Sequence, residues 1–320
     1  MQHRLTALLI ASCLTLSACL TPLVAPENVS RGDFRTIEKY ISELVDREMS
    51  DHEITGISIA LIDDQKIIWQ KGFGFADLEN RIPATPETIY RAGSISKVFT
   101  AAATMQLAEQ GKIDIDQPLV KALPAFSIKT RFPDAAPVTP RNVMTHHSGL
   151  PSNYYRGLFV RNPEPFEVVL DEIRDEYLST PPNTVFSYSN LGMALLGASV
   201  EKVSGQAFNE YMGQHFFQPL GMNRSSFASR AVTKAYDHNK PIEVFSLRDM
   251  PAANLLSNVV DLSQFVKMQF AEGRSGKQQI LLPETTREMV RVQNANFPLT
   301  FDSYVGLGWL LSGIQVPGAG

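Results

Sequence analysis

Residues 94–107, SISKVFTAAATMQL, contain a single ionisable side chain, Lys97. Uncharged residues, mostly small or apolar, occupy every face that a helix would have here, and such a helix is stable when other elements cover it. Gly111 follows as a typical C-terminal stop. We therefore predict a buried helix from Ser94 to Gly111. Burial would remove water from the Lys97 ammonium and so lower its pKa.

The order of the other segments predicts an α+β fold. Residues 33–49 repeat apolar side chains at helical spacing. The β-rich runs ITGISIALIDD and KIIWQKGFGFADLE predict a hairpin with its turn near Asp64 and Gln65. Further helices are expected at 140–149 behind a Thr139 cap, at 164–178, 188–203 and 207–217, in LSQFVKMQFAEG behind an Asp261 cap, and in PETTREMVRV.

The last apolar run, SYVGLGWLLSGIQV, is typical of a strand. We expect it to join the first hairpin in one antiparallel sheet. The predicted architecture is therefore an antiparallel sheet flanked by helices, together with a mostly helical lobe. A cleft between the two is the expected place for a functional site.

The composition is that of an ordinary globular protein. The 320 residues are 44% hydrophobic and 19% charged, with a formal net charge of −4 and no long run of one sign. A chain of this length forms one large domain or two closely packed lobes. The charge pattern gives no indication of a nucleic-acid partner or an acidic lipid surface.

The N-terminus has the pattern of an export signal. MQHRLTALLIASCLTLSAC places Arg4 before a short apolar run and ends it with small residues. The end of this segment, LSAC, resembles a bacterial lipoprotein box, in which Cys19 becomes the lipidated first residue. An ordinary cleaved signal peptide with an incidental cysteine is the alternative.

We accordingly predict a lipoprotein signal peptide at 1–19, a tether at 20–32 and a folded domain at 33–320. In bacterial lipoproteins, which this segment resembles, the residue after the lipidated cysteine directs sorting. Leu20 at this position favours the outer membrane as the destination. The expected location is the bacterial cell envelope, lipid-anchored at the periplasmic face of that membrane.

The cysteines and histidines argue against metal and thiol chemistry. Cys13 and Cys19 both lie in the signal segment, which leaves the folded domain without a disulfide, a thiol nucleophile or a cysteine-based metal site. No two histidines have the His-x-x-x-His spacing of a helical metal site, and core or loop roles are expected for the adjacent pair His146 and His147. We expect no metal and no other cofactor.

The pair Ser94 and Lys97 is a candidate for nucleophilic catalysis. The Ser-x-x-Lys pattern occurs twice in the chain, and the second pair, Ser199 and Lys202, is expected in the middle of a helix. Ser94 instead follows Gly93 at a helix start, where unpaired N–H groups and the helix dipole stabilise an oxyanion. A neutral lysine on the same helix face could accept the serine proton. A helix-capping serine with a lysine that reaches solvent is the alternative.

A second candidate group lies at the loop-to-helix junction NTVFSYSNLGMALLG. Tyr188, with its pKa lowered by a nearby lysine, could relay a proton, and the Asn190 amide could hold a substrate carbonyl. The alternative is an aromatic anchor followed by a helix N-cap. A Ser-His-Asp hydrolase is disfavoured because the chain has no Gly-x-Ser-x-Gly elbow.

Together, SISK, VMTHHSGLP and YSN make the chain resemble the serine β-lactamase and penicillin-binding protein superfamily. GKIDIDQPL and PAANLLSNVVDLSQF match the branch of class C β-lactamases, D-Ala-D-Ala carboxypeptidases and related esterases. The resemblance extends over about residues 33–320. It implies that Ser94 is the acylated nucleophile and Lys97 its proton acceptor. It further implies that Tyr188 is the general base and acid and that Asn190 contacts the substrate amide.

One departure from that family concerns its third motif, Lys-Thr-Gly or His-x-Gly on an inner strand. No such motif follows GLGWLL, and the chain stops at VPGAG. We therefore expect a domain truncated at its C-terminus, with the last strands of the family's sheet missing. A family member with an incomplete site is the alternative.

Two hypotheses for function follow. The first is an exported serine hydrolase that forms an acyl-enzyme with an amide or ester, such as a cell-wall peptide, a β-lactam or a small ester. The second is a non-catalytic lipoprotein that holds cell-wall peptide in the same cleft. Peptidase, β-lactamase and esterase activities stay open at this point.

Overall fold

The structure is a computed structural model that describes residues 23–312, apart from residues 28, 31, 229 and 230. The predicted signal peptide at 1–19, with Cys19, and part of the tether lie outside the described residues. The chain divides into two units, one up to Arg47 and one from Glu48 onward. In the described part of the chain, none of the helices has the length and hydropathy of a membrane span.

The helices are α1 (Phe34–Asp51), α2 (Ser96–Glu109), α3 (Pro140–Met144), α4 (Val169–Glu172), α5 (Asn190–Ser204), α6 (Phe208–Met212), α7 (Gln218–Leu220), α8 (Met250–Ala253), α9 (Val259–Phe270) and α10 (Pro283–Val290). The strands are β1 (Gly56–Asp63), β2 (Lys66–Asp77), β3 (Ile82–Pro83), β4 (Tyr90–Gly93), β5 (Phe159–Val160), β6 (Ala235–Asp237), β7 (Lys240–Ile242), β8 (Ser246–Leu247), β9 (Leu255–Ser257), β10 (Arg274–Ser275), β11 (Gln278–Gln279), β12 (Tyr304–Val305) and β13 (Leu310–Leu311). The described residues combine helices with small antiparallel sheets, which confirms the predicted α+β class.

The predicted hairpin is formed by β1 and β2, which pair antiparallel, and β3 adds a third strand beside β2. Asp64 adopts a positive φ of 49° in the turn, a conformation that aspartate tolerates better than most residues. Elsewhere, β4 pairs with β9 and β5 pairs with β8. These last two pairings matter most for the site, because they join segments that are distant in the sequence.

The predicted buried helix is confirmed as α2, although it begins at Ser96 rather than at Ser94. Its side chains from Ser96 to Leu107 are almost all buried, and it packs against α5 and α8. Phe99 lies against Phe265 and Phe217, with ring centroids 4.2 and 5.9 Å apart. A helix with little charge is stable here because its neighbours cover it on several faces.

Several predicted helix boundaries were wrong. The helix predicted at 140–149 ends at Met144, since His146 takes a left-handed φ of 60° that an α-helix cannot contain. The predicted helix at 164–178 is a shorter run of 3₁₀ and α turns over residues 166–175. The N-cap of α9 is Asn258, whose side chain accepts the backbone N–H of Asp261, so Asp261 itself is not the cap.

The predicted last strand forms its own small hairpin. Within the described residues, β12 pairs with β13 rather than with the first sheet. Gly308 lies between these strands with a φ of 79°, and its N–H donates to the Met144 carbonyl. A Cβ at Gly308 would lie 2.5 Å from the Ala101 Cβ, so glycine is required for this close approach to α2.

Candidate active site

The turn that carries Ser94 is positioned by the pairing of β4 with β9. Gly93 ends β4 opposite Leu255 and adopts a φ of 55°, which turns the chain into α2. Ser94 lies in this turn, two residues before the helix begins, and is exposed. Its hydroxyl is therefore accessible from solvent at the positive end of the α2 dipole.

Ser96 fixes the turn to the neighbouring strand. Its side chain is fully buried, and its Oγ donates to the Gly93 carbonyl at 2.6 Å. The same Oγ accepts the Leu255 N–H at 2.9 Å, across 159 residues of sequence. The hydroxyl thus joins the turn after β4 to the first residue of β9 by one donated and one accepted hydrogen bond.

The structure brings the predicted site residues Ser94, Lys97, Tyr188 and Asn190 together. Tyr188 donates its phenolic O–H to Ser94 Oγ at 2.7 Å, and Lys97 Nζ lies 3.2 Å from the same oxygen. By contrast, Ser199 is buried in the middle of α5, where its hydroxyl donates to the carbonyl four residues earlier. Structural context therefore distinguishes the two Ser-x-x-Lys pairs, as the sequence predicted.

Lys97 is almost completely buried, with 3% of its surface exposed. Burial lowers its pKa to about 8, against a smaller opposing effect of the negative charge on Asp249. Its Nζ donates to Asn190 Oδ1 at 2.8 Å and to the Ala252 carbonyl at 2.9 Å. The expected lowering of this pKa is confirmed, and its cause is the loss of water around the ammonium.

These contacts define where the lone pair of a neutral Lys97 would point. A neutral amine has two N–H groups and one lone pair. Asn190 Oδ1 and the Ala252 carbonyl are acceptors only, so they take the two N–H groups. The lone pair is then left for Ser94 Oγ at 3.2 Å, which is the geometry that a proton acceptor needs.

Tyr188 is held from both sides. Its ring lies against the His146 imidazole, with ring centroids 4.4 Å apart, and Lys97 Nζ lies 4.5 Å from its ring centre. Ser152 Oγ donates to the Tyr188 carbonyl at 2.6 Å.

Burial raises the pKa of the Tyr188 phenol. The sequence-based expectation of a lowered Tyr188 pKa was therefore wrong, because desolvation opposes ionisation of the phenol.

The Asn190 carboxamide connects Lys97 to a neighbouring loop. Asn190 is the first residue of α5. The side chain of Ser189, the N-cap residue of this helix, accepts the Gly192 N–H. While its Oδ1 binds Lys97, its Nδ2 donates to Asn153 Oδ1 at 2.8 Å. Asn190 therefore fixes the lysine before any substrate is present.

Sequence reasoning missed several residues that complete the site. Ala252 contributes a backbone carbonyl, which no side-chain pattern can reveal. Asn153 lies in the aromatic segment NYYRGLF, where no local motif indicates a role. His146 was expected in a core or loop role, and its imidazole packs under Tyr188 with its Nδ1 accepting the Ser189 N–H. Burial, with added repulsion from Lys97, lowers the pKa of His146 to about 3.

Comparison with known proteins gives matches over most of the chain. A family model described as Beta-lactamase matches residues 39–319. Protein flp of Staphylococcus aureus (strain MW2) is 26% identical over 245 residues, which are 72% of this chain and 49% of that protein. Beta-lactamase-like protein 2 of Dictyostelium discoideum is 30% identical over 195 residues, 59% of this chain and 36% of that protein. The chain thus spans about half the length, or less, of these curated relatives.

Two solved structures share the fold. The octameric penicillin-binding protein homologue from Pyrococcus abyssi has a TM-score of 0.71 and 31% identity, covering 87% of this chain and 65% of that one. EstCE1, described as a hydrolase with promiscuous acyltransferase activity, has a TM-score of 0.72 and 21% identity, covering 86% of this chain and 83% of that one. At 21% identity, the second likeness concerns the fold alone.

Replacing Ser96 by alanine tests the anchor of the turn that carries Ser94. Ser96→Ala leaves the buried Leu255 N–H and the Gly93 carbonyl without this hydroxyl, so we expect a loss of about 1–3 kcal/mol in unfolding free energy. Ser199→Ala is the matched control, because it removes a buried hydroxyl that bonds its own helix. Urea unfolding of both variants measures the difference. Equal losses would show that Ser96 does not anchor the turn.

Proposed function

The chain belongs to the Beta-lactamase family, and we propose that it is a serine hydrolase whose Ser94 forms an acyl-enzyme with an amide or ester. The fold of this family supports a hydrolase of the serine type. The observation that carries the assignment to Ser94 is its contact with two proton-transfer groups. An exposed serine hydroxyl meets a buried lysine whose pKa is about 8 and a tyrosine that stays protonated.

In the first step, Ser94 Oγ attacks the carbonyl carbon of the substrate. The pKa values favour Lys97 as the first proton acceptor, since that of Lys97 is lowered while that of Tyr188 is raised. The proton passes from Ser94 to Lys97 Nζ as the Oγ–C bond forms. The N-terminal end of α2 lies beside the developing oxyanion and stabilises its negative charge.

In the second step, the leaving group departs. The bond from the carbonyl carbon to the leaving nitrogen or oxygen breaks, and that atom takes a proton from Tyr188. The acyl group now occupies Ser94 Oγ, so Lys97 keeps the serine proton, and its ammonium, 4.5 Å from the Tyr188 ring centre, stabilises the phenolate. Water then attacks the acyl carbon and gives a proton to the Tyr188 phenolate. The bond from that carbon to Ser94 Oγ breaks, and the oxygen takes its proton back from Lys97.

The substrate class is a small molecule or peptide with an amide or ester carbonyl. Asn190 Nδ2 and Asn153 Oδ1 bind each other 2.8 Å apart beside Lys97, and a substrate amide offers the complementary donor and acceptor. This arrangement favours amides, such as a D-Ala-D-Ala peptide or a β-lactam, over esters. A serine hydrolase of this design needs no metal or organic cofactor for the steps above.

We further propose that the protein is exported and attached through Cys19 to the periplasmic face of the bacterial outer membrane. The support is the sequence alone: a basic lead, a short apolar run and the small-residue box LSAC. A lipid-anchored hydrolase in the cell envelope would have direct access to cell-wall peptides.

Covalent labelling tests the role of Ser94. The full chain is incubated with benzylpenicillin or with a fluorophosphonate, and its intact mass is measured. We expect one adduct per chain in the wild type and in Ser199→Ala, and at least a hundredfold less in Ser94→Ala. An equal mass gain in Ser94→Ala, or reversible muropeptide binding without an adduct in a folded wild type, would contradict the assignment. The second result would favour a peptide-binding lipoprotein.

Metabolic labelling with an alkynyl fatty acid tests the anchor. In cells that produce the full chain, we expect label on the wild type and on the matched control Cys13→Ser. Cys19→Ser should lose the label, since lipid transfer requires its thiol. Label that persists in Cys19→Ser, or none on exported wild type, would refute lipid attachment at this residue.

A further inference from the structure

Arg248 is a buried arginine that lies outside the group of residues assigned above. It follows β8, and 1% of its side chain is exposed. Its guanidinium binds Asp249 Oδ1 at 2.9 Å, and it donates to the Tyr154 and Arg156 carbonyls at 3.0 and 2.7 Å. Glu172 Oε2 lies 3.4 Å from the same guanidinium. Such extensive pairing is required, because an unpaired buried charge is strongly destabilising.

The carbonyls that Arg248 binds belong to the loop that contacts Asn190. Tyr154 directly follows Asn153, whose Oδ1 accepts the Asn190 amide. A planar guanidinium that bonds two carbonyls two residues apart fixes the path of the backbone between them. Arg248 therefore fixes the backbone next to Asn153, the residue that accepts the Asn190 amide.

On its other side, Arg248 binds the residue that begins the Lys97-binding turn. Asp249 is the N-cap residue of α8, and its carbonyl accepts the Ala252 N–H at 2.9 Å. The Ala252 carbonyl in turn accepts Lys97 Nζ. The Arg248 guanidinium is therefore connected to both acceptors that orient Lys97. It is connected to the Ala252 carbonyl through this turn and to Asn190 Oδ1 through the Asn153 loop.

The charges around Lys97 give Arg248 a second effect. Asp249 is fully buried, and within the described residues its Oδ2 has no hydrogen-bond partner. The negative charge of Asp249 raises the pKa of Lys97. Burial raises the pKa of Asp249 itself, whereas Arg248 lowers it, so Arg248 favours the ionised carboxylate and places a compensating positive charge beside it. The other titratable groups that face Lys97 are Tyr188, which is held protonated, and His146, which is held neutral. Asp249 is therefore the charge near Lys97 that Arg248 controls.

We propose that Arg248 is a positioning residue of the active site. It holds the Asn153 loop and the Lys97-binding turn in register, and it neutralises Asp249 so that Lys97 can act as a base. The catalytic part of this inference, that Lys97 acts as a base, rests on the proposed function. The geometry and the charge of Lys97 can nevertheless be tested without any turnover.

The first test is a titration of Lys97 in the full chain by NMR of ¹³Cε-labelled lysine, with Lys97→Arg to assign the signal. We expect the midpoint to rise by about one pH unit in Arg248→Met, which leaves Asp249 uncompensated. It should fall by a similar amount in Asp249→Asn and return close to the wild-type value in the double variant. Arg141→Met is the matched control, because this arginine pairs with Asp116 and Glu288, which are not site residues.

Arg248→Lys separates position from charge. A lysine keeps the positive charge but lacks the planar fork that bonds both loop carbonyls. We expect an unchanged Lys97 midpoint, together with a KM for benzylpenicillin raised about tenfold and a kcat within about twofold of the wild type. A role in stability alone would lower the folded fraction and leave both KM and the Lys97 midpoint unchanged.

An unchanged Lys97 midpoint in a folded Arg248→Met, or in Asp249→Asn if the first variant does not fold, would overturn the proposal. So would wild-type kinetics in Arg248→Lys. A wild type without Ser94-dependent turnover would refute the proposed function instead, and the titration would still decide whether Arg248 sets the charge of Lys97.

Discussion

The burial of Lys97 is the constraint on which the site depends. With 3% of the Lys97 surface exposed, its ammonium has little access to water, and it needs acceptors that replace the lost water. Asn190 Oδ1 and the Ala252 carbonyl supply them at 2.8 and 2.9 Å. These acceptors are 93 and 155 residues away in the sequence. One buried side chain therefore links the start of α5 and the turn at α8 to the start of α2.

The same burial sets the chemical difference between Lys97 and Tyr188, the two groups that we propose transfer protons. Loss of water disfavours the charged form of each group, so the pKa of the lysine falls and that of the tyrosine rises. Lys97 becomes available as a base near pH 8, whereas Tyr188 remains a donor to Ser94 Oγ. Because one physical cause pushes these two pKa values apart, a base and an acid lie side by side on Ser94 Oγ.

The sequence predicted those parts of the fold and site that depend on local pattern. The absence of charge around Lys97 predicted a buried helix, alternating apolar runs predicted β1 and β2, and YSN predicted a loop-to-helix junction. What it could not predict depends on contacts that no local pattern contains. The left-handed turn at His146 ends α3 early, and the Ala252 carbonyl and the Arg248 network arise from long-range packing. The Tyr188 pKa was predicted with the wrong sign, because its burial was not visible in the sequence.

The rate of Ser94 acylation as a function of pH tests the central claim most directly. If neutral Lys97 accepts the serine proton, the pseudo-first-order rate of adduct formation rises about tenfold per pH unit below pH 8 and levels off above it, since the pKa of Lys97 is about 8. Two results would contradict this role of Lys97: a rate that keeps rising up to about pH 10.5, the ordinary lysine pKa, or a rate that does not change from pH 6 to 10. Either result would mean that Lys97 is not the base that activates Ser94.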